Sequence, residues 1–165
     1  MKTDTPGVAG LGWGGFTILE LLVVVSIIAI LIGFAMPSYL SIREVAKQRK
    51  AVVTTKHLEL AFNEYYNQNQ SWPTSDSGTE VRSALLRTLI GEGGGVAYFE
   101  IGTNDVNSFK DPWGQAYYEV AFDADFNNTV TGPGGEDIQK SVIVWNIHSY
   151  IKRGVPTAIT NKSWE

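Results

Sequence analysis

Residues 16–36 read FTILELLVVVSIIAILIGFAM, and this stretch decides the architecture of the chain. All of its residues are apolar except Thr17, Glu20, Ser26 and Gly33. A helix of this length extends over about 31 Å, which matches the roughly 30 Å hydrocarbon thickness of a bilayer. The apolar part of a cleaved secretory signal is shorter, usually about 7 to 15 residues. The stretch therefore predicts a helix that spans a membrane.

The composition of the whole chain excludes several classes of function. Its 165 residues carry 13 basic and 17 acidic side chains, for a net charge of −4, so no basic surface for nucleic acid is expected. There is no cysteine, which excludes disulfides, thiolate metal sites and cysteine nucleophiles. Neither His57 nor His148 has a serine or an acid at the spacing of a catalytic motif, so no catalytic residues and no enzyme activity are predicted.

Glu20 is the one carboxylate inside the apolar stretch. A lone charge at membrane depth costs on the order of 2.5 to 3.5 kcal/mol on insertion scales, so this side chain calls for a partner. The alternative is that Glu20 lies near the membrane interface, where it is hydrated or protonated. The apolar stretch alone leaves both interpretations open.

The run Gly15-Phe16-Thr17-Ile18-Leu19-Glu20-Leu21-Leu22-Val23-Val24-Val25 resembles the prepilin signal of type IV pilins and of the pseudopilins of type II secretion. In that family a peptidase cuts after the glycine, here Gly15, and methylates the new terminus, here Phe16. The resemblance thus implies a leader peptide over residues 1–15. It also implies that Glu20 pairs with the Phe16 ammonium of a neighbouring subunit, so that two buried charges compensate each other only on assembly.

Partners and location follow from the same resemblance. The implied partners are prepilin peptidase, further copies and other pseudopilins in a helical filament, the inner-membrane secretion assembly platform, and membrane lipid. The resemblance implies a single-pass protein of the bacterial inner membrane, with the carboxyl-terminal domain in the periplasm. Counting positive charges predicts the opposite orientation, because several basic residues follow the span: Arg43, Lys47, Arg49 and Lys50.

Residues 37–70 are expected to form an amphipathic stem helix that ends near Asn69. Its apolar stripe at helical spacing is predicted to consist of Ile42, Val45, Ala46, Val52, Val53, Leu60 and Tyr66. Pro37 removes one backbone hydrogen bond, and Gly33 lies one turn earlier. The two residues together predict a flexible joint between the span and the stem.

Residues 71–165 are predicted to form a small head domain with a short helix over 81–90 and strands over 118–122 and 141–145. A glycine-rich run, Gly93-Gly94-Gly95, follows the helix and is expected to be a loop, since it lacks the Lys-Ser/Thr continuation of a phosphate-binding loop. The fold class is therefore α+β: a long N-terminal helix followed by a head with a short helix and an antiparallel sheet, as in pilins.

Two further motifs extend the resemblance into the head. The turn Asp111-Pro112-Trp113-Gly114 before a tyrosine-bearing strand, and the pair Ser163-Trp164, are similar to the major pseudopilins of type II secretion. The function implied is that of a structural subunit of the secretion pseudopilus. A type IV pilin or minor pilin is the alternative, and a membrane-anchored carbohydrate-binding or hydrolytic domain is a third interpretation.

One segment of the head has the spacing of a calcium loop. Asp123, Asp125 and Asn127 occupy alternate positions 1, 3 and 5, and Thr129 supplies a carbonyl at position 7. The second half of such a loop is incomplete, and the nearest carboxylates are Glu136 and Asp137. The alternative is a turn in which Asp and Asn side chains bind the backbone without a metal.

Overall fold

The computed structural model describes residues 15–74, 78–101, 105–152 and 155–165, and for residues 37, 38, 40, 150–152 and 155–157 it describes the backbone alone. The chain divides into two compact units, Met1–Ile42 and Arg43–Glu165. The leader predicted over residues 1–15 lies outside the described residues except for Gly15. The overall α+β class predicted from the sequence is confirmed.

Helix α1 comprises Ile18–Asn69 and includes the whole apolar stretch from Ile18 onwards. It ends where the sequence predicted, and Gln70 then takes a left-handed backbone conformation. The described chain continues with β1 (Thr79–Glu80), helix α2 (Ser83–Leu89), a short 3₁₀ helix (Val106–Ser108), β2 (Glu119–Phe122), β3 (Val130–Thr131), β4 (Asp137–Ile138), β5 (Val142–Lys152) and β6 (Val155–Lys162).

The main sheet is antiparallel, in the order β1-β2-β5-β6, and β3 pairs with β4 in a separate two-stranded sheet. Strand β2 pairs with the first four residues of β5, Val142–Trp145, whereas β6 pairs with β5 from Trp145 to Lys152. The strand predicted over 141–145 is thus the start of a longer one. The strand continues to Lys152 because its residues from Trp145 onwards pair with β6.

The core of the head lies between the second part of α1 and one face of the sheet. Alternate strand residues Val120, Phe122, Val142 and Val144 point to this face, as the two-residue period of a strand requires. Leu58 and the α2 leucines pack against them, and the Phe62 ring meets Phe122 edge to face at 5.2 Å. A smaller cluster on the opposite face contains Ala121, Val130, Ile143 and Trp145.

The buried positions of the stem lie outside its predicted apolar stripe. The buried positions are Ala51, Thr55, Leu58, Ala61 and Phe62. The residues predicted for the stripe instead include most of the exposed apolar side chains of the stem: Ile42, Val45, Val53 and Leu60. Both faces of the helix carry apolar side chains, so periodicity alone could not tell which of them meets the head.

Helix α2 is shorter than the predicted 81–90 and ends at a glycine, as expected from the run that follows it. Gly91 has φ of 69°, and a side chain there would bring a Cβ atom within 2.5 Å of the Gly95 carbonyl oxygen. Only glycine therefore fits this turn without strain. The turn returns the chain to the core, where the amide groups of Tyr98 and Phe99 both donate to the Leu89 carbonyl.

Candidate functional site

The first turn of α1 contains a reciprocal hydrogen-bond arrangement between Thr17 and Glu20. The Thr17 hydroxyl oxygen accepts a bond from the Glu20 amide at 3.1 Å. In return, Glu20 Oε2 accepts bonds from the Thr17 amide at 3.0 Å and from the Thr17 hydroxyl at 2.9 Å. This is a capping box, in which a Thr and a Glu three residues apart satisfy the free amides at a helix start. The spacing of Thr17 and Glu20 in the sequence is the signal that could have predicted this cap.

The capping box gives Glu20 a partner inside its own chain. A carboxylate in the first helical turn is also favoured by the partial positive charge of the helix N-terminus. Both bonds from Thr17 end on Oε2, and neither uses Oε1. Glu20 can therefore keep its cap and still present an oxygen to a cation that approaches the helix start.

The predicted cleavage junction lies immediately before this turn. Gly15 and Phe16 are outside the helix and exposed. Among the described residues, apart from its chain neighbours, nothing lies within 4 Å of the place where a Gly15 side chain would be. All atoms of the capping box belong to residues after the Gly15–Phe16 bond, so cutting that bond would leave the cap intact. The geometry is compatible with access by a peptidase, and the processing itself stays a prediction.

The apolar part of α1 is exposed throughout residues 16–36. Among the described residues, one helix is long and apolar enough to cross a membrane, and it is α1. Within it the Ser26 hydroxyl donates to the Leu22 carbonyl, which satisfies this polar group inside the helix. The helix continues through Gly33 and Pro37, and the flexible joint predicted at these two residues stays a prediction.

The acidic loop of the head is held together by its own side chains. Asp123 Oδ1 and Oδ2 accept bonds from the amides of Asn127 and Asn128, at 3.0 and 2.7 Å. Asn127 Oδ1 accepts a bond from the Thr129 amide, and Asp125 Oδ2 one from the Asn127 side chain. These contacts are those of the turn that the sequence left open as the alternative to calcium.

The second half of the predicted calcium loop lies on the β3–β4 hairpin. Glu136 Oε2 accepts a bond from the Gly134 amide, and Lys162 lies 4.0 Å from the same carboxylate. Asp137 begins β4 and faces Thr131 across the hairpin. In the described part of the chain, no three His, Asp or Glu side chains form a group that could hold a metal ion. Calcium at the Asp123 loop stays a prediction without support from this geometry.

Sequence analysis missed a buried polar group around the Asp111 turn. His148 Nδ1 lies 3.6 Å from Asp111 Oδ2, and both side chains are buried. The Trp113 ring stacks on His148 with centroids 3.9 Å apart, and its Nε1 donates to Glu44 on α1 at 2.7 Å. The indication in the sequence was strand alternation. His148 is two residues after Asn146 and four after Val144, so it lies on the same strand face as these two buried residues.

The Asp111 turn is thereby fixed from two sides. Asp111 Oδ1 accepts a bond from the Gln115 amide, which closes the turn, and Trp113 bridges from His148 in β5 to Glu44 in α1. The other head motif is also structural: Ser163 accepts a bond from the Val144 amide and donates its own amide to the Val144 carbonyl. The first motif therefore joins the head to the stem, and the second joins the residue after β6 to β5.

Comparison with known proteins identifies the family. The chain is similar to the type II secretion system core protein G of Vibrio cholerae, with 32% identity over 149 residues, which cover 82% of this chain and 94% of that protein. The chain belongs to the core protein G family of type II secretion systems. No protein-family model matches the chain, and no solved structure matches it significantly.

Other relatives connect this core protein G homologue to the pilins. The core protein G of Escherichia coli K12 is 32% identical over 108 residues, which cover 64% of this chain and 70% of that protein. A fimbrial protein of Neisseria meningitidis is 26% identical over 102 residues, which cover 58% of this chain and 60% of that protein. Family membership and the one long apolar helix make this core protein G homologue a single-pass, membrane-anchored protein.

Proposed function

We propose that this chain is a structural subunit of a type II secretion pseudopilus, polymerised through residues 16–36. The observation that carries the proposal is an apolar helix that its own chain leaves exposed and that begins with a capped but otherwise accessible carboxylate, Glu20. Exposed apolar surface on this scale requires an external partner, which is lipid before assembly and other subunits afterwards. The similarity to core protein G of Vibrio cholerae supports this assignment.

Assembly follows from the chemistry of the first turn. Cleavage after Gly15 would turn the Phe16 amide nitrogen into an ammonium, a cation at membrane depth without a counter-charge of its own. Glu20 of a neighbouring subunit can supply that charge through Oε1 while Oε2 keeps its bonds to Thr17. Because the donor and the acceptor differ between the two subunits, the contact does not close on itself and gives an open polymer.

The proposed partners are prepilin peptidase, which would create this terminus, and the assembly platform in the inner membrane. We place the head in the periplasm, following the family resemblance, although the basic residues after the span favour the opposite orientation by charge count. A reporter enzyme that is active only outside the cytoplasm, fused after Glu165, tests the orientation. Activity of a cytoplasm-specific reporter at the same position would show that the charge rule prevails.

Processing is the direct test of the proposal. In a host with an active prepilin peptidase, mass spectrometry of the purified chain should find a mature N-terminus at Phe16, N-methylated. The same chain from a host without the peptidase is the control and should retain its leader. An uncut N-terminus beside an active peptidase, or cleavage at another bond, would contradict the proposal.

A type IV pilin is the second candidate, favoured by the similarity to the Neisseria meningitidis fimbrial protein. The two candidates share the helix and differ in the head. Many type IV pilins close a carboxyl-terminal loop with a disulfide, whereas the sequence of this chain contains no cysteine. Complementation of a strain that lacks its core protein G, scored as restored secretion, separates the two functions.

A further inference from the structure

One face of α1 in the head unit is exposed although it carries large apolar side chains. Val45, Arg49, Val53, Lys56 and Leu60 follow one another at intervals of three or four residues, so they lie on a single helix face. We call these five residues the stem stripe. Leu60 is 66% exposed and Val53 is 50% exposed. The described part of the chain therefore leaves this face without a cover.

The head of the same chain packs on the opposite side of the helix. Ala51, Thr55 and Leu58 are fully buried there. Ala51 is two residues before Val53, which places it about 200° away around the helix. Most of the stem stripe is thus turned away from its own head, although Leu60, at its end, also lines a cavity with the head residues Tyr98 and Phe99. A cover for the exposed face has to come from another molecule.

The charges of the stem stripe restrict the partner. Arg49 and Lys56 alternate with the apolar residues, and none of the ion pairs among the described residues includes either of them. Pairing with the stem stripe of a second copy would place cations against cations, which is destabilising. The partner surface must therefore combine apolar area with carboxylates.

The head of a second copy offers such a surface. Residues 71–165 carry seven basic and twelve acidic side chains, whereas residues 43–56 carry five basic and one acidic. Several exposed head carboxylates already have a cation in their own chain: Glu80 has Arg82, Glu92 has Arg87, and Glu165 has Lys162.

One groove on the head combines the required features. Asp125 and Asp137 line it, and its lining includes no Lys or Arg. The lining residues Phe122 and Val130 are buried, and the exposed apolar area comes from Phe126, which is 65% exposed and lies between the lining residues Asp125 and Asn127 in the chain. We call this the loop groove. The bonds that Asp125 and Asp137 accept come from the neutral donors Asn127 and Thr131, so both carboxylates keep their negative charge uncompensated by these contacts.

We infer that the stem stripe of one subunit docks on the loop groove of a neighbouring subunit, with Arg49 and Lys56 facing Asp125 and Asp137. The inference rests on the proposed function, because it adds a contact between head units to a polymer whose other contact is the apolar helix. The two surfaces differ, so each subunit offers one and accepts the other, as an open polymer requires. The apolar residues supply contact area, and the charges select the partner surface.

Cysteine cross-linking of the full-length protein in its membrane tests the contact, since the chain has no cysteine of its own. The pair Val53→Cys with Thr131→Cys should yield a ladder of cross-linked oligomers. The matched control pairs Val53→Cys with Val96→Cys, because Val96 is as exposed as Val53 but lies outside the loop groove. The control should give a ladder that is at least roughly tenfold weaker if docking is specific.

Charge reversal then tests the role of Arg49. Arg49→Glu should weaken the ladder roughly tenfold, because it places like charges together. Lys50→Glu makes the same change of charge at the next residue, about 100° around the helix, and should leave the ladder within about twofold. The double variant Arg49→Glu with Asp125→Lys should restore the ladder. If Asp125→Lys weakened the ladder by abolishing calcium binding, Arg49→Glu in the stem could not restore it.

The outcomes separate the inference from the proposed function. If cysteines within residues 16–36 form ladders while the stem stripe and loop groove do not, the inference is wrong and the filament remains. If no ladder forms from the cysteines within residues 16–36 or from those in the stem stripe and loop groove, the proposed function fails as well. If Arg49→Glu weakens binding to vesicles with anionic phospholipid and leaves the cross-links unchanged, the stem stripe faces lipid and the inference is wrong.

Discussion

The two halves of α1 use the same kinds of side chain in opposite ways. Leu22 in the apolar stretch is 63% exposed, whereas Leu58 in the head unit is fully buried. The head completes its own core with α2 and the sheet, so its leucines stabilise the fold of one subunit. The apolar stretch has no such core in its own chain, and its leucines can stabilise only a contact with lipid or another subunit. The apolar stretch of α1 thus serves assembly, whereas the part of α1 in the head unit stabilises the fold of one subunit.

Replacement of Glu20 is expected to have the largest effect on the assembly half. If Glu20 pairs with a neighbour's Phe16 ammonium, Glu20→Leu leaves that cation buried alone, at a cost of about 3 to 5 kcal/mol. At 1.4 kcal/mol per factor of ten, association should weaken roughly a hundredfold or more. The variant should still insert and be cleaved, because a charge has been removed from an apolar segment.

Cross-linking within residues 16–36, at equal membrane abundance, measures this effect. Glu64→Leu is the control, since it makes the same chemical change on an exposed part of the same helix outside the membrane segment. Undiminished ladders for Glu20→Leu would mean that Glu20 is a tolerated interfacial carboxylate with Thr17 as its sufficient partner.

Two matched leucine-to-alanine variants test whether the two parts of α1 have these separate roles. Leu58→Ala should lower the free energy of unfolding of the head by about 2 to 5 kcal/mol, because it opens a cavity in a closed core. Leu22→Ala removes the same atoms from an exposed position and should leave head unfolding unchanged. Denaturant unfolding of the full chain in detergent, followed by tryptophan fluorescence, provides the measurement. A similar loss for both variants would contradict the separation of roles.

The sequence predicted the local elements of the molecule better than the contacts between distant residues. The long apolar helix, its end near Asn69 and the strand predicted over 118–122 follow from local patterns, and the structure has α1 to Asn69 and β2 at Glu119–Phe122. The buried contact between Asp111 and His148 joins residues far apart in the chain, so no spacing rule could find it. The buried face of the stem also depended on a tertiary choice, since the helix has apolar residues on both sides.

Alkaline pH should destabilise the head through Tyr118, whose side chain is buried between α1 and the sheet. Burial raises the pKa of Tyr118 to about 12, against a smaller lowering by a hydrogen bond with Thr54. The unfolded chain loses this proton near pH 10, so the native state binds more protons between pH 10 and 12. The contribution to stability is complete below about pH 10 and is lost as the pH rises through about 12, by roughly 2 to 3 kcal/mol.

Tyr118→Phe isolates this contribution from other groups that titrate in the same range. The free energy of unfolding should fall less steeply with pH above 10 for the variant than for the wild type. The difference between the two slopes is the quantity to compare, because the lysines contribute equally to both proteins. Parallel curves would show that the buried tyrosine does not set the alkaline limit of the head.

The smallest expected effect concerns Thr17, whose side chain both caps α1 and binds Glu20. Thr17→Ala removes the hydroxyl that caps α1 and should destabilise the first turn by about 0.5 to 2 kcal/mol. Thr17→Ser keeps the hydroxyl and serves as the control. Hydrogen exchange at the Glu20 amide should become faster in Thr17→Ala and stay slow in Thr17→Ser, because this amide donates to the hydroxyl.

The effect of Thr17→Ala on assembly distinguishes two roles of the cap. If the cap orients Glu20 toward its neighbour, Thr17→Ala should weaken the ladders of residues 16–36. If the cap competes with the neighbour for Glu20, the ladders should strengthen. Since the bonds from Thr17 end on Oε2 and leave Oε1 outside the cap, we expect weaker ladders, and stronger ones would show that the cap restrains assembly.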